Sequence, residues 1–204
     1  MRKTKENTQI TKDQILEGAV RCFSEKGYDW TTIERVAKAV GVSRGTVYWH
    51  FADKKELYRA SVDYAMEQAD MVAYARSQSL DISLEDCFCG IFMQIIHDNV
   101  YVDFYYRAIA FAANREEFTD TLTKMQAMKQ RLLDFIAEQC RQYMELHGIT
   151  GEEPGFYADS LFLILEGMFM VKNLNVTVDL SPDRIRQYIH SAIERLLRKG
   201  GECK

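Results

Sequence analysis

Residues 31–57 read TTIERVAKAVGVSRGTVYWHFADKKEL, and this stretch decides the fold of the first part of the chain. Thr31 and Glu34 have the spacing of a capping box, which predicts the start of a helix. Gly41 predicts its end, because glycine adopts the left-handed conformation that closes a helix without a steric penalty. Between them lie apolar residues that are spaced to cover one helical face: Ile33, Val36, Ala37 and Val40.

A second and shorter helix is predicted after the glycine, with Ser43 as its N-cap. Only Val47 and Phe51, four residues apart, need to face inward. The side chains that remain outward are hydrogen-bond donors and flat aromatics, which a helix needs when it enters the major groove of DNA. The expected DNA contacts are Thr32, Ser43, Arg44, Gly45, Thr46, Tyr48, Trp49, His50 and Lys54.

The expected contacts differ in role according to their position. Arg44 and Thr46 are expected to reach base edges, since the N-terminal residues of a recognition helix reach deepest. The other side chains are expected to grip the sugar-phosphate backbone, and Gly45 to permit close approach of a phosphate. Two alternatives stay open: the aromatics belong to the core of a small helical domain, or Gly45 is only a tolerated helix glycine.

These residues resemble a known family. The runs Thr32–Ala37 and Gly41–Phe51, followed by Lys54 and Leu57, are similar to the DNA-binding domain of TetR/AcrR transcriptional regulators. The Tyr-Trp-His-Phe form of residues 48–51 is most like the branch that represses multidrug efflux pumps. The resemblance therefore implies a repressor involved in multidrug resistance.

The resemblance is dense in motifs over about residues 8–70 and only architectural beyond them. Val40 is a mild departure, because relatives often have alanine before the glycine. The resemblance implies a homodimer on a palindromic operator and a C-terminal pocket whose hydrophobic ligand releases the DNA. Two alternatives are a TetR-type regulator of other metabolic genes and an activator or architectural protein without a drug ligand.

The fold class is predicted to be all-α, with about nine helices. A basic arm at residues 1–8 precedes a three-helix DNA-binding domain at residues 9–70, whose helix-turn-helix spans about residues 32–51. A long helix that begins at Asp53 is expected to continue through Val72 as a rigid strut. It leads into a C-terminal ligand-binding and dimerisation domain, residues 71–204.

Charge divides the chain in the same way. Residues 1–60 have a balance of +4 and residues 61–204 a balance of −8, which together give the net charge of −4. DNA affinity is therefore expected to depend on a local basic patch at the N-terminal end. An arm of Arg2, Lys3, Lys5 and Lys12 either reaches an adjacent groove or is a solvated tail before a helix that starts after Thr11.

The middle of the chain is rich in aromatic and methionine side chains, which suit a pliable apolar cavity but more commonly form ordinary core. The candidate pocket residues are Phe88, Phe92, Met93, Tyr101, Phe104, Tyr105, Phe111, Met125, Phe162, Glu166 and Phe169. Buried polar candidates are Gln94, His97, Asp98, Asn114 and Glu166. The Glu166 carboxylate would favour a cationic ligand, or it pairs with an arginine.

Two apolar helices close the chain, at about residues 156–175 and 182–198. Ser181 and Pro182 have the order of an N-cap and a first-turn proline. The two helices are expected to form a four-helix interface with a twofold mate, and the alternative is that they complete the core of the monomer.

Several function classes are excluded or disfavoured. Five cysteines without a framework spacing are typical of reduced thiols, and Cys87 and Cys89 are poorly placed to chelate a metal. No cofactor, no metal site and no enzyme motif is expected, so the chain is predicted not to be an enzyme. The apolar stretch at residues 161–171 is too short to span a membrane, and the protein is expected to be cytoplasmic.

Overall fold

A computed structural model describes the backbone of residues 2–77, 83–96, 99–150, 153–174 and 177–197, and the side chains of residues 11–76, 83–96, 99–150, 153–174 and 177–195. Every regular element in these ranges is helical, which confirms the all-α prediction. The described ranges hold ten α-helices where about nine were expected. The difference is a short separate helix at Met71–Ser77. The sequence predicted that the long helix beginning at Asp53 would continue through this region.

The helices follow one another as α1 (Arg2–Trp30), α2 (Ile33–Val40), α3 (Arg44–His50), α4 (Lys54–Gln68), α5 (Met71–Ser77), α6 (Leu84–Ile96), α7 (Val100–Ala112), α8 (Thr119–Leu146), α9 (Pro154–Asn173) and α10 (Pro182–Leu197). A 3-10 turn at Glu116–Phe118 leads into α8. His97 and Asp98 lie outside the described residues, as do the side chains of residues 1–10 that form most of the predicted basic arm.

The chain divides into two compact units, of which the first comprises Met1–Ala69 and Val100–Gln126. In this unit α1 packs on α2, α4 and α7, and α2 packs on α3. Its core joins aliphatic side chains to a cluster of aromatic rings, for example Ile15, Val20, Leu57, Val62, Phe23, Tyr58, Phe104 and Phe118. The first unit thus holds both helices of the predicted DNA-reading motif.

The second unit comprises Asp70–Asn99 and Ala127–Lys204. Here α6 packs on α5, α9 and α10. The buried side chains are mostly aliphatic and aromatic, including Ile91, Phe92, Ile136, Leu165, Ile185 and Ile189. The domain boundaries at residues 8 and 70 stay a prediction, since the two units describe packing and not function.

Two expectations about helix ends need correction. α1 begins at Arg2 and not after Thr11, although Gly27, with φ 76° and ψ 171°, interrupts it where its end was predicted. The connecting helix is shorter than expected, because α4 ends at Gln68. The Asp70 Oδ1 atom accepts hydrogen bonds from the backbone N–H groups of Val72 and Ala73, at 3.0 Å each. This side-chain cap starts a new helix and separates Val72 from α4.

The helix α9 is apolar on several sides. By length and composition alone it would suffice to cross a membrane, a criterion that the core helix of a soluble protein also meets. Leu161, Leu165 and Phe169 are buried within the second unit, whereas Leu163 and Met170 are exposed. One face of α9 therefore belongs to the core, and an opposite apolar face remains uncovered.

Candidate nucleic-acid interface

The start of α2 differs from its prediction. The N-cap is Thr32, whose hydroxyl oxygen accepts a hydrogen bond from the backbone N–H of Arg35 at 3.2 Å. Thr31 is buried instead, and its hydroxyl donates to the Gly27 carbonyl oxygen at 2.7 Å, with the Cys22 carbonyl oxygen as an alternative acceptor at 3.1 Å. The predicted capping box from Thr31 is therefore wrong by one residue, because this threonine holds the end of α1.

The turn between α2 and α3 forms at Gly41 as predicted. Gly41 has φ 72° and ψ 25°, a left-handed conformation. Its N–H donates to the Lys38 carbonyl at 3.3 Å, and the Val42 N–H donates to the Ala37 carbonyl at 3.0 Å. These two bonds are the pair that defines a Schellman motif. They fix the direction in which the chain enters α3.

The helix α3 has an inner and an outer side. The Ser43 hydroxyl caps it by accepting from the Thr46 N–H at 3.0 Å, while Val47 and Phe51 are buried. The side chains of Tyr48 and Trp49 are 42% and 69% exposed. These two aromatics are not core residues, so the alternative that explained them by packing fails. Large apolar rings on a soluble surface are typical of a binding site.

Arg44 is held by two neighbours in the free protein. Its guanidinium pairs with the Glu34 carboxylate at 2.7 Å and donates to the Tyr48 hydroxyl at 3.1 Å. The pKa of Glu34 is lowered, first by a hydrogen bond from its own backbone N–H and also by the positive charge of Arg44. Desolvation acts in the opposite direction but does not outweigh these two effects. Because both partners are exposed, the ion pair is weak and a phosphate can replace the carboxylate. Arg44 is thus pre-positioned at the surface of α3.

The first turn of α3 leaves room above its backbone. A Cβ atom built on Gly45 would meet only the Ser43 hydroxyl oxygen, at 3.6 Å, an ordinary contact. No protein neighbour therefore demands glycine at this position. The Thr46 hydroxyl lies 2.8 Å from the Ser43 hydroxyl and is partly exposed. The approach of a phosphate to Gly45 stays a prediction.

His50 packs edge-on against Trp49, with 4.6 Å between the ring centroids. Burial lowers the pKa of His50, and the positive charge of Lys12 lowers it further. The imidazole is therefore neutral near pH 7 in the free protein. Lys12 itself is part of the first unit and lies close enough to repel a protonated His50.

Lys54 has structural partners of its own. Its ammonium donates to the backbone carbonyls of Tyr28 at 3.0 Å and Asp29 at 3.5 Å, and it lies 4.3 Å from the centroid of the Tyr28 ring. These contacts fasten the first residue of α4 to the end of α1. An ammonium has three N–H groups, so one is left for the phosphate contact that the sequence predicts.

Trp30 was not among the predicted contacts. Its side chain is 81% exposed and it lies two residues before the Thr32 N-cap. Trp30 is the last residue of α1, and its position after Gly27, outside the apolar spacing of α1 and α2, is the sequence signal that would have found it. Trp30 joins Tyr48 and Trp49 as the third exposed aromatic in the first unit.

The predicted pocket residues do not all belong together. Five of them lie in the first unit: Tyr101, Phe104, Tyr105, Phe111 and Met125. The other six lie in the second unit: Phe88, Phe92, Met93, Phe162, Glu166 and Phe169. Phe104 and Phe111 line a common cavity of about 390 Å³. The Tyr105 hydroxyl donates to the Met125 carbonyl at 2.9 Å in the core.

Glu166 is neutralised by a cation, but not by an arginine. Its carboxylate accepts from the Lys129 ammonium at 2.6 Å, and Lys129 also lies 5.7 Å from the centroid of the Phe162 ring. Gln94 is half-buried, whereas Asn114 is exposed and was wrongly expected to be buried. The apolar wall at Phe162 therefore carries a complete ion pair and not a bare carboxylate.

The cysteines whose side chains are described, Cys22, Cys87, Cys89 and Cys140, are all buried free thiols. Burial raises the pKa of Cys87 to about 11 and that of Cys140 to about 12, so these thiols stay protonated at neutral pH. Across the described residues, no three His, Cys, Asp or Glu side chains are grouped as metal ligands would be.

Two short helices joined by a Schellman turn, the second with donors and aromatics outward, define a helix-turn-helix domain of the DNA-binding class. Residues 15–61 match the family model described as bacterial regulatory proteins, tetR family. The helix-turn-helix segment of this chain is thus similar to the DNA-binding part of that family, and the chain matches 62% of the length of its relative TtgR. This match confirms the resemblance that residues 32–57 carry.

Relatives and a solved structure agree with this assignment. The HTH-type transcriptional regulator TtgR of Pseudomonas putida is 32% identical over 130 residues, which cover 64% of this chain and 62% of TtgR. AcrR of Shigella flexneri is 49% identical over 57 residues, 28% of this chain and 26% of AcrR. The structure of MexZ, a repressor responsible for antibiotic resistance in Pseudomonas aeruginosa, has the same fold, with a TM-score of 0.73, 21% identity and coverage of 91% of this chain and 94% of MexZ.

Proposed function

We propose that the protein is a transcriptional repressor that binds a palindromic operator as a homodimer and leaves it when a hydrophobic small molecule binds. The observation that carries this proposal is the outer side of α3, where Arg44, Thr46, Tyr48 and Trp49 face solvent while Val47 and Phe51 anchor the helix. A rigid scaffold that presents donors and flat rings on one short helix suits the major groove.

The charge distribution supports the same proposal. The excess of basic residues lies in residues 1–60, which contain the helix-turn-helix, although the whole chain is acidic. Local positive charge attracts the phosphate backbone, whereas the acidic remainder disfavours unspecific coating of DNA. Such a protein acts on the chromosome, and we place it in the cytoplasm.

The proposed dimer interface comprises α9 and α10. Phe156, Leu163 and Met170 are exposed at intervals of seven residues along α9, and Leu174 continues this apolar stripe. The stripe is not needed by the monomer core, which uses Leu161, Leu165 and Phe169, among others. A twofold mate that covers it would bring two α3 helices to one operator, and the second contact then benefits from a high effective concentration.

The proposed effector site lies in the second unit, near Phe88, Phe92, Phe162 and the Lys129–Glu166 ion pair. An apolar compound that binds one arrangement of this unit better than another shifts the population toward it. If the favoured arrangement holds the two α3 helices at the wrong separation, the operator is released. The Tyr-Trp-His-Phe form of residues 48–51 favours control of a multidrug efflux pump.

The test uses purified full-length protein and fragments of its own promoter region at low salt. A shift of one fragment, with weaker binding of a scrambled control, is expected. Light scattering is expected to give the mass of a dimer at micromolar concentration, and Leu163→Glu to give a monomer that binds the fragment weakly. Failure to shift any fragment would refute the proposal.

The effector part is tested by linkage. A hydrophobic drug that releases the DNA must bind the operator complex more weakly than the free protein, by the same factor by which it weakens DNA binding. Titration of both forms by calorimetry measures that factor. Equal affinity for the two forms would refute the effector mechanism while leaving DNA binding intact.

A further inference from the structure

The first unit holds a cavity of about 390 Å³ beside the last turn of α1. Its walls include five aromatic side chains: Phe23, Tyr28, Tyr58, Phe104 and Phe111. Small-molecule sites in proteins have volumes of about 300–1,000 Å³ and are lined mostly by apolar and aromatic groups. The cavity is therefore large enough for a compact organic molecule, and the proposed DNA contacts do not include its lining.

The aromatic walls hold one another in place. Phe23 and Tyr58 meet edge to face with 5.0 Å between ring centroids, Tyr58 and Phe104 with 5.7 Å, and Tyr28 and Phe111 lie 5.1 Å apart. Phe23, Tyr58 and Phe104 are buried and form the floor of the cavity, whereas Tyr28 and Phe111 are half-buried and present ring surface to it. A flat aromatic molecule can stack on these two rings.

The polar part of the lining favours an anion. Arg107, on α7, lines the cavity and is exposed, and its guanidinium makes no hydrogen bond or ion pair with the side chains that the structure describes. Lys26 adds a second positive charge to the lining and Glu25 one negative charge. A guanidinium without a partner binds a carboxylate through two parallel hydrogen bonds. The lining thus offers an exposed guanidinium for a carboxylate at the edge of the aromatic cluster.

We propose that this cavity is a second effector site, which binds a planar aromatic carboxylate with its rings against the half-buried Tyr28 and Phe111 rings and its carboxylate on Arg107. The site is separate from the pocket proposed in the second unit, since all of its lining residues belong to the first.

The cavity is connected to the DNA-reading helix through Tyr28. The Tyr28 ring forms one wall, and the same ring carries the Lys54 ammonium at 4.3 Å. Lys54 begins α4, three residues after Phe51, the C-cap of α3. A ligand that binds against the Tyr28 ring and shifts it therefore changes the contact that fastens α4 and, through it, α3.

A second wall has a similar connection. Phe111 packs under Arg115, whose guanidinium carbon lies 4.3 Å from its ring centroid, and Arg115 pairs with Asp29 at 3.0 Å. Asp29 offers its carbonyl to Lys54 at 3.5 Å. The effect on DNA rests on the proposed function, whereas binding of the carboxylate does not.

The test measures binding to the full-length protein by calorimetry with two probes, 2-naphthoate and the uncharged 2-naphthalenemethanol. One equivalent of 2-naphthoate is expected to bind, and the alcohol to bind at least tenfold more weakly. Arg107→Gln is expected to weaken 2-naphthoate binding about tenfold or more, since it removes a charge-assisted contact. Arg131→Gln, the same change at an exposed arginine of the second unit, serves as the matched control and is expected to leave binding unchanged.

A variant that fills the cavity gives an independent result. Ser24 lines the cavity and is half-buried, so Ser24→Phe is expected to abolish binding of both probes while far-UV circular dichroism stays as in the wild type. Absence of 2-naphthoate binding to the wild type, or equal binding to Arg107→Gln, would overturn the site.

The effector role is tested with the promoter fragment. 2-Naphthoate is expected to weaken the complex of the wild type and not that of Arg107→Gln. Binding of 2-naphthoate without any change in DNA affinity would overturn the effector role. If no fragment is bound even without the probe, the proposed function fails, and calorimetry still decides whether the carboxylate site exists.

Discussion

Gly18 of α1 packs closely against the Val40 side chain at the end of α2, and this contact can be tested by adding one methyl group. A Cβ atom built on Gly18 would overlap the Val40 Cγ1 atom. Real Cβ atoms essentially never come within 3.0 Å of another heavy atom, so either the valine or α2 must move. Gly18→Ala is therefore expected to be overpacked, although alanine is the better helix former.

The magnitude follows from two opposing effects. Overpacking a core position destabilises by about 1–3 kcal/mol. Replacing a mid-helix glycine by alanine stabilises by about 0.5–1 kcal/mol. Val40 is β-branched and prefers one rotamer in a helix, so it yields poorly. The expected net loss for Gly18→Ala is about 0.5–2 kcal/mol, or about 1–8 °C in Tm for a chain of this length.

Val40→Ala removes the methyl group that would clash and provides the matched background. In Val40→Ala protein, Gly18→Ala is expected to stabilise by about 0.5–1 kcal/mol, because only the helix propensity remains. The sign of the effect thus reverses between the two backgrounds. Thermal and guanidinium unfolding of the four proteins, followed by far-UV circular dichroism, measures the coupling. An equal effect of Gly18→Ala in both backgrounds would refute the close-packing argument.

Three further predictions concern DNA binding by the promoter fragment. Glu34→Gln frees Arg44 from its carboxylate partner and removes a negative charge near the DNA. DNA affinity, measured by fluorescence anisotropy, is therefore expected to rise severalfold at low salt and less at high salt. Lower affinity would show that the ion pair holds Arg44 in its reading position. Thr46→Ala is expected to reduce the discrimination between bases by about 1–3 kcal/mol. Lys54→Met should weaken binding to all DNA sequences alike and reduce the slope of log affinity against log salt concentration by about one. A sequence-specific loss for Lys54→Met would contradict its phosphate role. Burial and Lys12 lower the pKa of His50 in the free protein, and a nearby phosphate would raise it. DNA binding should therefore take up a proton and strengthen as the pH falls below about 7. His50→Gln should lose this part of the pH dependence.

The local parts of the site were predictable because their causes lie within a few residues. Gly41 ends α2, Ser43 caps α3, and Val47 with Phe51 turns inward, each for a reason that is visible in the sequence. The error at Thr31 has the opposite origin. Two threonines stand side by side, and only the packing of α1 decides which one is buried and which one caps.

Long-range features were not predictable from periodicity. The apolar stripe of α4 continues past Ala69 in the sequence, but the cap provided by Asp70 breaks the helix. The pattern of α7 shows which face is apolar and not which helices cover it, so its packing on α1 and α4 was not foreseen. The cavity at Tyr28 and Arg107 arises from that packing and has no signature in any one segment.

The brevity of α3 has a consequence for how the protein reads DNA. A helix of seven residues is too short to persist by itself in water, where about 12–15 residues are the lower limit. The helix is stabilised by the packing of Val47 and Phe51 in the first unit. An excised peptide covering residues 43–51 would therefore be a coil with no preference for any DNA sequence. Grafting α3 onto another protein would therefore require the helices that pack around it to be grafted as well.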